Sequence, residues 1–375
     1  MPFVTFGEMS SGTRLLTVRN TLRKTNKALC ALLLALLCFF LPLTSMRAEN
    51  RPQSSSETDT LLSEAKTLFR QSKFSEADRV VRQYLESHPN SADGHFLLGH
   101  ILFREIQAEA ILDRQLALQA QGPMGGGMAP TPVPTLPKDR IEKAKASLAE
   151  FTAGAKYHDP SAVELKIVAF DYIVLGDYPD ADKWLTKMLE WTPNDSDGWY
   201  NLGRTKYNEN RFAEAISAFQ KCLKLDPRNV KAEDNLGLSF AGLGRSEEAA
   251  AAYQQAVAWQ AQSPEKTPRP YIDLGSLLID ENRPKDAITL LLQAIAIDPR
   301  DSKTHELLGK AYTRLEEFPK AQTELERAVE LSPETPNLHC MLAPVYRKQG
   351  LAEKAKAQYD RCAALTGDRS TPQTP

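Results

Sequence analysis

Between Trp199 and Pro227, large and small apolar residues recur at fixed intervals with polar residues between them. With Ser196 as position 1, Trp199 falls at 4, Leu202 and Gly203 at 7 and 8, Ala215 at 20, Phe219 at 24, Cys222 at 27 and Pro227 at 32. Apolar residues three and four apart predict amphipathic helices, here two of them separated by a turn after about 14 residues. The phase then holds. Val230 to Ser263 supplies Leu236, Gly237, Phe240, Ala249, Tyr253 and Ala256 in the same slots. After an insertion the pattern resumes at Pro268, and it continues from Ser302 and from Pro336, with Leu308, Gly309, Ala321 and Leu325 in the first of these and Leu342, Ala343, Ala355 and Tyr359 in the second. Upstream, units starting at Thr58 and Ala162 keep the same spacing.

Each slot has a physical cause. A small residue at position 8 lets the first helix approach the second, and small residues at 20 and 27 do the same between neighbours, where a larger side chain would overpack. Pro at 32 ends the second helix because it lacks an N–H and clashes with the preceding turn. Asp, Asn or Ser then caps the next helix, as in Pro193–Asp197 and Pro299–Ser302. No unit can bury its apolar face alone, so stacking supplies the stability.

This pattern resembles the tetratricopeptide repeat, a 34-residue helix-turn-helix unit. The resemblance implies an all-α fold, a right-handed α-solenoid whose concave wall is made mainly of first helices. The units lie near 58–91, 92–160, 162–195, 196–229, 230–263, 268–301, 302–335 and 336–368. The second is longer than the rest. Its helical pattern runs past the expected turn through Ile106, Ile111, Leu112 and Leu116, and helix resumes near Lys138. An elongated helical hairpin is expected, with a flexible Gly/Pro-rich tip at 122–137. Residues 49–57 read as a linker and 369–375 as a disordered tail.

The N-terminus departs from the repeat. Arg14, Arg19, Arg23, Lys24 and Lys27 precede an uncharged apolar run from Ala28 to Leu43, followed by polar sequence with Ala48. A basic segment, a short apolar core and a small residue read as a signal peptide over 1–48, cleaved near Ala48, with a retained signal anchor as the alternative. The expected location is therefore exported, periplasmic or secreted, or membrane-anchored by residues 28–43 and facing the periplasm. Removing 1–48 makes a chain of net charge −2 more acidic, which argues against nucleic acid as the partner. Beyond that N-terminal segment, membrane contact is not expected.

Candidate chemistry is sparse. The six histidines are scattered, and His95 and His100, five apart, do not share one helical face as a metal pair at i, i+4 would. His158 to Ser161 places hydrolase residue types in one turn, where triad geometry cannot form. Three cysteines lie beyond residue 48. Cys222 and Cys362 fall in the small slot at 27 and read as buried thiols replacing Ala, so the fold is not expected to depend on bridges. Cys340, at position 5, is placed toward the groove, with a reactive or bridged role as the alternative to a plain thiol. No catalytic residue, metal or cofactor is assigned, and a non-enzymatic protein is expected.

In the family that this pattern resembles, positions 2, 5, 6, 9, 12 and 13 of the first helix face the groove, where extended peptides bind. Here they include Tyr200, Asn201, Arg204, Tyr207 and Asn208 in the fourth unit, Lys231, Asp234 and Asn235 in the fifth, and Arg269 and Asp273 in the sixth. Asn201 and Asn235 resemble the asparagine ladder that holds a peptide backbone, since an amide both gives and accepts hydrogen bonds. The two tyrosines offer rigid aromatic surface, and Arg204 and Arg269 offer carboxylate pairing. The dicarboxylate clamp of chaperone-binding members is matched only at Asn235 and Arg269. The reading is a protein-protein interaction module holding an extended segment of a partner. The alternative is a scaffold or assembly factor of an envelope or secretion complex, acting through the hairpin or the solenoid ends, with homo-oligomers among its forms.

Overall fold

The computed structural model describes residues 55–119 and 137–367. The expected N-terminal signal or anchor, most of the expected linker, the expected hairpin tip except Pro137, and the expected tail lie outside the described residues. Those described form sixteen α-helices, taken here in pairs. They are α1 (Ser55–Arg70) with α2 (Phe74–Ser87), α3 (Ala92–Gln119) with α4 (Lys138–Gly154), α5 (Ala162–Leu175) with α6 (Tyr178–Trp191), and α7 (Ser196–Asn208) with α8 (Phe212–Leu225). Then follow α9 (Val230–Gly242) with α10 (Ser246–Gln262), α11 (Arg269–Asp280) with α12 (Pro284–Ile297), α13 (Ser302–Arg314) with α14 (Phe318–Leu331), and α15 (Pro336–Lys348) with α16 (Ala352–Thr366). Helix α1 begins at Ser55, inside the stretch expected as linker.

Every helix packs on the next, as a stacked array requires. First helices also touch across units, α7 on α9, α9 on α11, α11 on α13 and α13 on α15, so they form one continuous wall. Packing follows the slots. Ala181, Ala215, Ala249, Ala287 and Ala321 are fully buried. At Gly203 an added Cβ would sit 2.6 Å from the ring of Phe219, the position-24 residue of the same unit. Asp195, Asn229 and Asp301 cap α7, α9 and α13, accepting from Gly198, Ala232 and Thr304 N–H at 2.8, 2.9 and 2.7 Å. The turn inside each regular unit is closed by one left-handed residue at position 15. Gly176, Gly244 and Gly350 do this without strain, whereas Ser72, Asn210, Asn282 and Glu316 do it with side chains.

Three histidines that looked scattered occupy one slot. His95, His305 and His339 are at position 4, each six residues after a proline, and Nε2 donates to that proline's carbonyl at 2.9, 3.0 and 2.8 Å. Trp199 does the same with Nε1 on the Pro193 carbonyl at 2.7 Å. A ring N–H thus fastens the inter-unit turn, and the other nitrogen of His305 meets Glu324 at 2.7 Å. Burial opposes charge on His305, but Glu324 and the Pro299 carbonyl outweigh it and raise the imidazole above its ordinary range.

The cysteine reading needs correction. Cys362 is half-buried and bridged to Cys340, with Cα atoms 5.3 Å apart, while Cys222 is a buried free thiol. Positions 5 and 27 of one unit face each other when its two helices pair, so the bridge ties α16 to α15. Of the side chains of α16 only that of Ala355 is buried.

The long hairpin has its own interior. The Ser147 hydroxyl of α4 donates to the Gly99 carbonyl of α3 at 3.1 Å, and Glu150 meets His95 at 2.7 Å. Lys143 reaches Glu105 at 3.1 Å and also pairs with Glu109. Phe96, Phe103 and Phe151 pack with Ile167 and Val168 of α5, which joins the hairpin to the array.

Candidate peptide-binding wall

The predicted site residues lie on three consecutive first helices, α7, α9 and α11. Their surroundings differ. Tyr200 is half-buried, its ring centroid 6.0 Å from that of Phe219, and Arg204 lies over the same ring at 5.9 Å. That stacking pre-orients a cation whose residue is exposed. Burial of Tyr200 also raises its hydroxyl above the ordinary tyrosine range. Tyr207 is half-buried against Phe212 at 5.4 Å, whereas Asn208 and Lys231 are exposed.

The asparagines are less open than a ladder would require. Asn201 donates through Nδ2 to the carbonyl of Asp197 at 2.7 Å, and Asn235 to that of Lys231 at 2.7 Å. Each amide nitrogen is therefore turned back on its own helix, while the amide oxygen takes no part in these bonds. Arg269 donates Nε to Asp273 Oδ2 at 2.7 Å, leaving its side chain 61% exposed.

Asp234, between these groups, belongs to the floor of the wall. It is 3% exposed. Burial, and then the neighbouring Asp273, pushes its carboxyl up to about 8. Its place at position 5 was legible; its depth was not, because that depends on what α7, α10 and α11 bring around it. A depression of about 640 Å³ lined by Asp182, Lys183, Trp184 and Lys187 lies off this wall, mainly on α6. Among the described residues no group of three His, Cys, Asp or Glu side chains could hold a metal ion. No helix among them is long and apolar enough to cross a membrane.

Stacked helix pairs with a continuous first-helix wall define a helical-repeat protein. Residues 62–118 and 200–266 match one tetratricopeptide repeat model and 278–343 another, together about half of the sequence. The chain belongs to the tetratricopeptide repeat family. It is similar to a DnaJ homolog subfamily C member 7 homolog of Schizosaccharomyces pombe, 26% identical over 179 residues, 44% of this chain and 38% of that protein. It is also 26% identical over 211 residues to a peroxisomal targeting signal receptor of Kluyveromyces lactis, 56% of this chain and 36% of the receptor. The matches thus span under two fifths of either relative. Among solved structures, a tetratricopeptide repeat protein from Parabacteroides merdae superposes with a TM-score of 0.54 at 13% identity, over 77% of this chain and 99% of that one. The Cut9–Hcn1 hetero-tetramer gives 0.52 at 19% identity, over 85% and 55%. These likenesses bear on fold alone.

Proposed function

We propose that this protein is a non-enzymatic interaction module that holds an extended segment of a partner protein against its first-helix wall. The observation that carries the reading is the row on α7, α9 and α11, where Tyr200, Arg204, Lys231 and Arg269 offer aromatic surface and exposed cations from consecutive units. One relative is by name a receptor for a targeting signal, which favours peptide recognition. The module works outside the cytosol: the Cys340–Cys362 bridge supports an oxidising compartment, in keeping with the basic and apolar N-terminal sequence.

The test is crosslinking of the full chain in its native cell through a photoreactive residue at Lys231, with another at Lys187 on α6 as control. A partner captured at Lys231, and lost when Tyr200→Ala and Arg204→Ala are introduced, is the expected result. Identical capture with and without those substitutions would overturn the reading. Thiol alkylation of unreduced cells reports location, since a cytosolic protein would present Cys340 and Cys362 as free thiols. A scaffold acting through the hairpin is a second reading, supported by Ile111 and Leu112, which are 59% and 53% exposed on α3. Deleting residues 105–140 would then remove partners that the wall substitutions leave in place.

A further inference from the structure

Asp234 and Asp273 come from the first helices of neighbouring units and lie near enough for each carboxyl to act on the other. Asp234 Oδ1 is buried and has no hydrogen-bond partner among the described residues. The Asp273 side chain is 11% exposed and accepts from Arg269. Two buried carboxyl groups are therefore served by one guanidinium. If both were ionised, one negative charge would stay uncompensated in a low-dielectric site, at a cost of several kcal/mol. The free protein avoids this by keeping a proton on the pair, as the upward displacement of both carboxyls by burial reflects. Other groups act on the same spot: Tyr200 from α7, Tyr253 from α10, and Asp301, which bears on Asp273 and Arg269. The surroundings are thus aromatic and acidic, with Arg269 as their cation.

Resting on the reading that a partner segment lies along this wall, the geometry points to its chemistry: the segment carries a lysine or arginine whose side chain enters beside Asp234 and Asp273 and completes their counter-charge. Arg269, with 61% of its side chain exposed, keeps its Nε contact with Asp273 while the incoming cation supplies the second counter-charge. Binding is then an exchange in which a cation enters and the proton shared by the pair leaves to solvent.

The experiment is selection of binders to the full chain from a displayed library of random twelve-residue peptides, with affinities measured between pH 6 and 8. The expected result is a basic residue at one fixed place in peptides whose binding is lost with Tyr200→Ala and Arg204→Ala. Replacing that residue by norleucine weakens binding at least tenfold in the wild type and not in Asp234→Asn. Affinity for the basic peptide rises with pH toward about 8, because the expelled proton is held less tightly there. Asp273→Asn serves as the second variant should Asp234→Asn fail to fold. Wall-dependent peptides that tolerate norleucine would overturn this inference and leave the groove standing. Peptides indifferent to the Tyr200 and Arg204 substitutions would overturn both.

Discussion

The junction between hairpin and array and the regular array that follows it each bury an aspartic acid, in different company. Asp171 on α5 is fully buried. The Ser147 hydroxyl beside it spends its proton on the Gly99 carbonyl, so neither carboxyl oxygen has a hydrogen-bond partner among the described residues. Burial pushes Asp171 up to about 8, as it does Asp234. Asp234, however, sits beside a second carboxyl and an exposed arginine, on a wall that continues through neighbouring units. Burial alone thus gives a group that responds to pH. Burial next to a charge that solvent can reach gives a group that can answer a ligand.

The largest expected effect sharpens this contrast at the junction. A carboxyl raised from about 3.9 in the unfolded chain to about 8 lowers stability progressively as pH rises between those values, by about 4 kcal/mol at pH 7. Asp171→Asn should therefore gain stability over wild type in urea melts at pH 8 and gain little at pH 4. An unchanged difference between the two pH values would break the comparison. Glu164, on the same helix, works oppositely: the His100 contact, against burial, lowers it to about 2, so its contribution holds above the ordinary carboxylate range and fades as pH falls toward 2.

Next in size is the end of the regular array. Closing a loop between residues 22 apart constrains the unfolded chain by about 3 kcal/mol, so Cys340→Ser should speed amide exchange in α16 far more than in α7. Gly203→Ala tests the close approach of α7 to the Phe219 ring and should cost about 1–3 kcal/mol in thermal or urea unfolding. The smallest effect is a gain. Glu316→Gly removes a left-handed non-glycine turn residue and should add about 1 kcal/mol, while the same change at Asn210 should add less because asparagine tolerates that conformation.

Much of this was legible because a repeat writes its packing locally. Position 8 beside position 24, and Asp195 or Asp301 before a helix, follow from spacings within one unit. The turn residue at position 15 could have been read as well, since Gly176, Gly244 and Gly350 recur there. The position-4 clamp also had a signal, a proline six residues before His95, Trp199, His305 and His339, hidden because histidine and tryptophan share the slot. The candidate site was legible as a set of positions on α7, α9 and α11. Its working state was not: whether Asn201 and Asn235 point outward or bond their own backbone is a choice of rotamer.

The sequence by itself determined the register, the helix pairs, the stacking and the place of the longer unit, because each rests on neighbours within 34 residues and on side-chain size. Tertiary structure decided that Cys340 meets Cys362, that the Asp171 carboxyl has no hydrogen-bond partner among the described residues, and that Asp234 lies beside Asp273 and Arg269. Those outcomes depend on depth and on groups contributed by several helices at once, and electrostatic cost in a low-dielectric interior is set by that sum rather than by any spacing along the chain.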